Sequence, residues 1–397
     1  MPDVIVIGGG IVGLGIAWQV ANSGRTVVVV DPQPASGATY AAAGMLAPVS
    51  EMHYQEENLA ELMLASSLLY PAFIESLGEG DTGYQTTTTI TVGVDSADRR
   101  ALTDLSVVQR ANGLAIEGLA IEPLSIRKAR ELEPLLSPQL SGAFLAPNDH
   151  QVDPRKLAAQ LRQSLAGLAK TEQWGFEVEA HQTATALVHE DELDASSRVT
   201  GVTLDDDSTI HAAEVIVANG LAASTLRGLP TWLTLPLRPV FGDILRLRVP
   251  EQLRPLLTCT LRGVVHGVPI YLVPRADGTL VIGASQREDG SSAVSAGGVY
   301  QLLRDAQQLL PAVSELELVE VTARARPGTP DNAPLMGRVQ KIEGLIIATG
   351  FFRHGVLLTP IAAQYCVQLI ENNPDPRWEG FRPDRFSQLL PSKEQHS

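Results

Sequence analysis

Residues 3–31 read DVIVIGGGIVGLGIAWQVANSGRTVVVVD, an apolar run, a glycine turn, a helix-patterned stretch and a second apolar run that ends in an acid. This is the pattern of a dinucleotide-binding βαβ unit. Gly8 permits a tight turn, Gly10 lets the backbone approach a diphosphate, and Gly13 lets the helix lie close to the strand. The amides around Ile11 and Val12 then open the helix, where its dipole favours an anion. Asp31 follows Gly13 by eighteen positions, close to the interval at which an acid meets a ribose hydroxyl. Taken alone, the unit admits NAD or FAD and leaves the chemistry open.

The rest of the composition narrows the class. A chain of 397 residues exceeds what one growing core accommodates, so two domains are expected. Hydrophobic residues make up 44% and charged residues 19%, a globular balance. The net charge of −15 disfavours nucleic acid or an anionic membrane surface as partner. The two cysteines, Cys259 and Cys366, lie in no CxxC or Cys/His cluster, so neither a disulfide framework nor a metal site is expected, and a reducing cytoplasm is the simplest setting. The apolar run from Val4 to Ala21 lacks a basic leader and holds five glycines. It reads as core, with no export or membrane span implied.

Beyond Asp31, the small-residue stretch from Pro32 to Leu46 suits a loop packed closely on a ligand. Residues 56–77 carry apolar positions at helical spacing, and TTTTITVGV reads as a strand outside the first domain. Asp153 and Pro154 open an amphipathic helix, and AEVIVANG returns the chain to a buried parallel strand. Residues 238–290 read as antiparallel. A two-residue turn at Asp277-Gly278 would set Tyr271 opposite Ala284, with Gln286 on the same face. The strand from Gly344 to Thr349 runs into Gly350, a turn and a helix to about Ile370, a junction where a second set of helix amides is expected at the carboxyl edge of the sheet. The fold class is therefore α/β: a discontinuous Rossmann-like domain (1–82, 146–230, 322–375), a mainly antiparallel β-sheet domain (83–145, 231–321) and a loosely packed tail (376–397).

IVIGGGIVGLG, Asp31, AAAGMLAP at 41–48, YLVPR, RPGTPDNAPLMGR at 326–338 and TGFFRHGVLLTP at 349–360 occur in that order. Together they resemble the glycine oxidases of thiamine biosynthesis, in the D-amino acid oxidase group of flavoenzymes. The resemblance spans nearly the whole chain and implies non-covalent FAD. It places Gly8, Gly10, Ile11, Val12 and Gly13 at the diphosphate, and Asp31 with Pro32 at the adenosine ribose. Ala38, Thr39, Ala43, Gly44 and Met45 would run beside the flavin. Gly350, Phe351, Phe352, Arg353, His354, Gly355, Val356 and Leu357 would present amides to its N1–C2=O edge, where reduction places negative charge. His354, taken without the resemblance, reads as structural.

On the substrate side the resemblance implies that Arg326 grips an amino acid carboxylate, as a planar fork can. Tyr271 would add a hydroxyl, and Arg353 and Gln286 would line the site. Where relatives often carry glycine, this chain has Arg324, on the same strand face as Arg326. It either favours substrates with a second anionic group or is neutralised by an acid and structural. The implied reaction is hydride transfer from a small amino acid to flavin N5. Molecular oxygen becomes hydrogen peroxide, and glyoxylate and ammonia are released, with no side-chain nucleophile, acid/base group or metal. A homo-oligomer, tetrameric by family habit, is implied as well. A sarcosine or D-amino acid oxidase, a dehydrogenase with another acceptor, a flavin-dependent RNA modifier and a non-catalytic FAD module stand as alternatives.

Overall fold

The computed structural model describes residues 1–111 and 121–387; the last ten residues of the expected tail, and 112–120 of the expected sheet domain, lie outside them. Three sheets carry the architecture. The first has six strands in the order Leu335–Arg338, Leu345–Thr349, Glu214–Val217, Val4–Ile7, Val27–Val30 and Glu179–Ala180. All its pairs are parallel except that of the edge strand Leu335–Arg338. In Val4–Ile7, Val4 and Val6 enter one hydrophobic cluster and Ile5 and Ile7 another. Both faces are thus covered, which is why the strand sequence is continuously apolar. Residues 27–30 and 214–217 flank it on opposite sides, making the switch point where open α/β sheets bind ligands.

The second large sheet has eight strands: Glu317–Gly328, Arg238–Arg248, Thr279–Gly283, Val268–Pro274, Thr260–Val265, Thr89–Gly93, Gly142–Ala146 and Glu122–Leu124. It is antiparallel apart from the pairing of Thr89–Gly93 with Thr260–Val265. One face buries Leu245, Leu272 and Ile282 with Leu302 and Ala306 of the helix Ala296–Leu309. The other packs Ile244, Val273 and Val281 on Ala41 and Ala43, so the loop after the first βαβ unit is held between the two sheets. A small three-stranded sheet spans residues 184–211. The helix Pro154–Thr171 begins as its sequence dictates, with Asp153 accepting from the amides of Arg155 and Lys156.

Three expectations are corrected. The hairpin at 271–283 has a three-residue loop, Ala276-Asp277-Gly278, since the Arg275 amide donates to the Thr279 carbonyl and Gly278 takes φ +83°. The register moves by one, and Tyr271 opposes Gly283 rather than Ala284. The expected turn after Gly350 extends through residue 358 and the last helix starts at Thr359, so the amides at this junction belong to turns rather than to a helix start. Residues 376–387 are not loosely packed: Trp378 and Phe381 are 1% and 5% exposed and join the main core.

Candidate active site

A cavity of about 510 Å³ lies between the two large sheets, its wall running from Asp31 to Tyr271 and Arg326. At one end it is built from backbone. The first strand turns at Gly8, φ +109°, where a Cβ would press into the backbone of Ala218 and Asn219. A Cβ on Gly13 would collide with the Gly8 carbonyl, so helix and turn are in contact. Gly10 precedes the helix Ile11–Asn22 without a side-chain cap. Thr39 Oγ1 accepts from the Ile11 amide at 2.9 Å, while the Val12 and Gly13 amides find no acceptor among the described residues. These are donors for an anion at a helix N-terminus. The Asp31 carboxylate is held by the amides of Gly9 at 2.7 Å and Gln33 at 2.8 Å, leaving lone pairs toward the cavity. Asn219 Oδ1, on the same wall, is buried without a donor.

The middle of the cavity is lined by Ala38, Thr39, Ala43, Gly44 and Met45. Gly44 has φ +73°, and a Cβ there would strike the Val152 carbonyl and Pro154. Arg275, at the end of YLVPR, donates to the carbonyls of Ala43 and Val152. It clamps the loop from the opposite sheet. Facing it, Gly350, Phe351, Phe352, Arg353, Gly355 and Val356 line the wall. The last helix is not the source of free amides here, because Ser66 Oγ takes the Ile361 amide and the Leu358 carbonyl takes that of Ala362. The amides of Arg353, Gly355, Val356 and Leu357, in the preceding turns, have no acceptor among the described residues. Of the sequence candidates, Gly13, Pro32, His354 and Leu357 do not line the cavity. Pro32 is exposed, and the others are buried behind the wall.

At the far end side chains take over. Arg326, on Glu317–Gly328, lays its guanidinium across Gly242 of the neighbouring strand, where a Cβ would meet it. The Tyr271 ring similarly occupies the space left by Gly283, and its hydroxyl lies beside the Arg326 guanidinium. Burial raises the phenol above its ordinary range despite the opposing pull of Arg326, so the hydroxyl keeps its proton. Gln286 lies exposed at the rim. Arg353 pairs with buried Glu56 at 2.5 Å, and Asn332 supports that carboxylate.

Sequence reading missed a second ion pair, Glu51 with Arg262, each 12% exposed and each on the wall. Burial would raise the Glu51 carboxyl, but Arg262, with His354 and Arg353 nearby, holds it at about 2. His354 sits 3.6 Å from Glu51, and burial, reinforced by Arg353, pushes it down to about 3, so it is neutral. His53 lies exposed at the rim. Thus Arg262 and Arg353 are matched by carboxylates, and Arg326 has no acid partner among the described residues. Nothing in the linear order flags Glu51 or Arg262, which are 211 positions apart. The tripeptide Ala218-Asn219-Gly220, which ends a recognised strand, also belongs to the wall.

The FAD-dependent oxidoreductase family model named DAO matches residues 3–369. The chain is 31% identical to the bifunctional protein ThiO/ThiG of Synechocystis sp. over 97% of its length, and spans only 54% of that relative. It is 31% identical to the glycine oxidase of Geobacillus kaustophilus, covering 93% of each chain. The crystal structure of glycine oxidase from that organism superposes with a TM-score of 0.83 at 28% identity, over 97% of this chain and 98% of the other. No helix among the described residues is long and apolar enough to cross a membrane. The free amides at 12–13, 353 and 355–357, the orphaned Asn219 oxygen and the close-packed glycines fit a bound dinucleotide, and the chain belongs to the DAO family of FAD-dependent oxidoreductases.

Proposed function

We propose that the chain oxidises glycine or a small N-substituted glycine, with oxygen as final acceptor: amine, oxygen and water go to glyoxylate, free amine and hydrogen peroxide. The observation that carries this reading is Arg326, a cavity-wall guanidinium with no acid of its own among the described residues, next to two arginines that are already paired. An anionic substrate group would complete its charge, and its fork suits a carboxylate bidentately. Tyr271, whose hydroxyl lies beside Arg326 and keeps its proton, can donate to the same carboxylate. The reading is also supported by the likeness to a glycine oxidase over nearly full length.

In this reading Val12 and Thr39 hold the diphosphate, Asp31 the adenosine ribose, and the turn amides of Arg353, Gly355 and Val356 the flavin ring. FAD, when bound, supplies the hydride acceptor. The chain's own work is orientation. Arg326 and Tyr271 fix the carboxylate, and with it the position of the α-carbon, so proximity contributes much of the rate. Glu51 and Glu56 keep Arg262 and Arg353 from competing for the carboxylate, because a matched guanidinium offers little net attraction.

The test is Arg326→Ala. The apparent KM for glycine should rise by about 100-fold, the scale of a lost bidentate charged contact, while the yellow FAD spectrum persists. An unchanged KM would remove Arg326 from the carboxylate. Peroxide formation from a panel of glycine, sarcosine and D-alanine then ranks the amines.

A further inference from the structure

Arg324 stands two residues before Arg326 on the same strand, lines the same cavity, and is used by neither the substrate site nor an ion pair. Its guanidinium is engaged by backbone carbonyls. Nε donates to the Ser36 carbonyl at 3.0 Å, Nη1 to the Ala323 carbonyl at 2.9 Å, and the group lies 5.7 Å from the centre of the Tyr40 ring. Ser36 is in the segment that rests on the glycine turn, since the Ala35 amide donates to the Gly9 carbonyl and Thr39 caps the Ile11 amide. Arg324 is therefore brought to the cofactor end, one loop away from the free amides of Val12 and Gly13.

The charges there are unbalanced in an informative way. Glu320, the carboxylate nearest along this strand, is already bonded by both Nη atoms of Arg155 and approached by Arg246. No carboxylate pairs with Arg324 among the described residues. The other arginines on the cavity wall, Arg262, Arg326 and Arg353, gather around Tyr271, Glu51 and Phe352 at the opposite end. Near the helix start Asp31 contributes a negative charge, and Arg162, which acts on it, is already paired with Glu179. A helix terminus offers only about half an elementary charge, so an anionic diphosphate would be under-compensated by backbone alone.

We propose that Arg324 is a cofactor-binding residue: reaching across from the second sheet, it supplies the cation for the FAD diphosphate, and its bond to Ser36 holds it ready. The inference rests on FAD as cofactor and goes beyond both earlier expectations for this position. It makes cofactor binding depend on the docking of the substrate-side sheet, through the strand that also carries Arg326.

The experiment titrates apoprotein with FAD, following quenching of flavin fluorescence at low and at high salt, for wild type, Arg324→Gln and Arg324→Lys. The glutamine can still donate to Ser36 but carries no charge. At low salt Arg324→Gln should weaken FAD binding about tenfold, the scale of one charge-assisted hydrogen bond. The gap should close as salt screens the contact, and Arg324→Lys should recover most of the affinity. The KM for glycine in FAD-saturated enzyme should stay within about twofold of wild type, since the carboxylate fork at Arg326 is intact. Unchanged FAD affinity in Arg324→Gln overturns the proposal. So does a loss that is equal at both salts and not rescued by lysine, which would mark a loop latch only. A shifted KM with unchanged FAD affinity would return Arg324 to the substrate. Wild type that takes up no FAD would overturn the cofactor reading itself, a separate result visible before any variant is compared.

Discussion

The two ends of the cavity are made in different ways. Around Gly8 to Val12 and Arg353 to Val356 the groups facing the cavity are, apart from Arg324 reaching in from the second sheet, mostly backbone amides, and the residues there are small or matter by what they lack. Around Arg326 and Tyr271 the facing groups are side chains, contributed by separate strands of one sheet and by the 51–56 segment. A backbone site is set by local conformation and tolerates changes of side-chain chemistry but not of size. A side-chain site is set by register, and it depends on which charges cancel which. Damage at one end should therefore leave the other readable.

The strongest test of that separation is Gly13→Ala. Its methyl would drive into the Gly8 carbonyl, and the expected cost is about 3 kcal/mol of stability together with loss of FAD. A variant that keeps FAD and its melting temperature would break the claim that the helix must touch the turn.

At the other end, Glu51 ionises at about 2 in the folded chain against an ordinary 4.5. A carboxyl depressed on folding stabilises above its unfolded value, and that contribution is lost as pH falls from about 4.5 to 2. Its size is on the order of 3 kcal/mol. Urea unfolding of wild type and Glu51→Gln across this window should show the stability gap narrowing toward pH 2; parallel curves would mean the ion pair does not carry it.

Smaller effects sharpen the contrast. Gly242→Ala would crowd the Arg326 guanidinium, and we expect the KM for glycine to rise about tenfold, the equivalent of a modest strain in a packed contact, with FAD affinity unchanged. Loss of FAD in this variant would show the two ends to be coupled. Tyr271→Phe removes a hydroxyl that would donate to the substrate carboxylate, so kcat/KM should fall roughly tenfold, the scale of one charge-assisted hydrogen bond, measured by peroxide release.

The glycine-turn end of the cavity was largely legible in the linear order, because Gly8, Gly10, Gly13 and Asp31 all lie within one βαβ unit whose periodicity is visible. The substrate end was legible only through family resemblance, and in part misread. Placing Asp277-Gly278 as a two-residue turn put Tyr271 opposite Ala284, whereas the extra loop residue sets it against Gly283, the one neighbour without a side chain to obstruct its ring. The junction at Gly350 does lie on the cavity wall, but its free amides belong to turns rather than to the helix that starts at Thr359. The tail was read as loose from its charge, while Trp378 and Phe381 anchor it in the core.

By itself, then, the sequence determined the βαβ unit, the alternation of parallel and antiparallel segments, and a glycine turn suited to a diphosphate, since each follows from spacing within a few dozen residues. Only the tertiary structure decided that Glu51 cancels Arg262, that Glu56 cancels Arg353, that Gly242 makes room for Arg326, and that Arg324 turns toward Ser36. The reason is physical. Charge balance and steric room depend on which atoms meet across two sheets, and residues hundreds of positions apart carry no local mark of meeting.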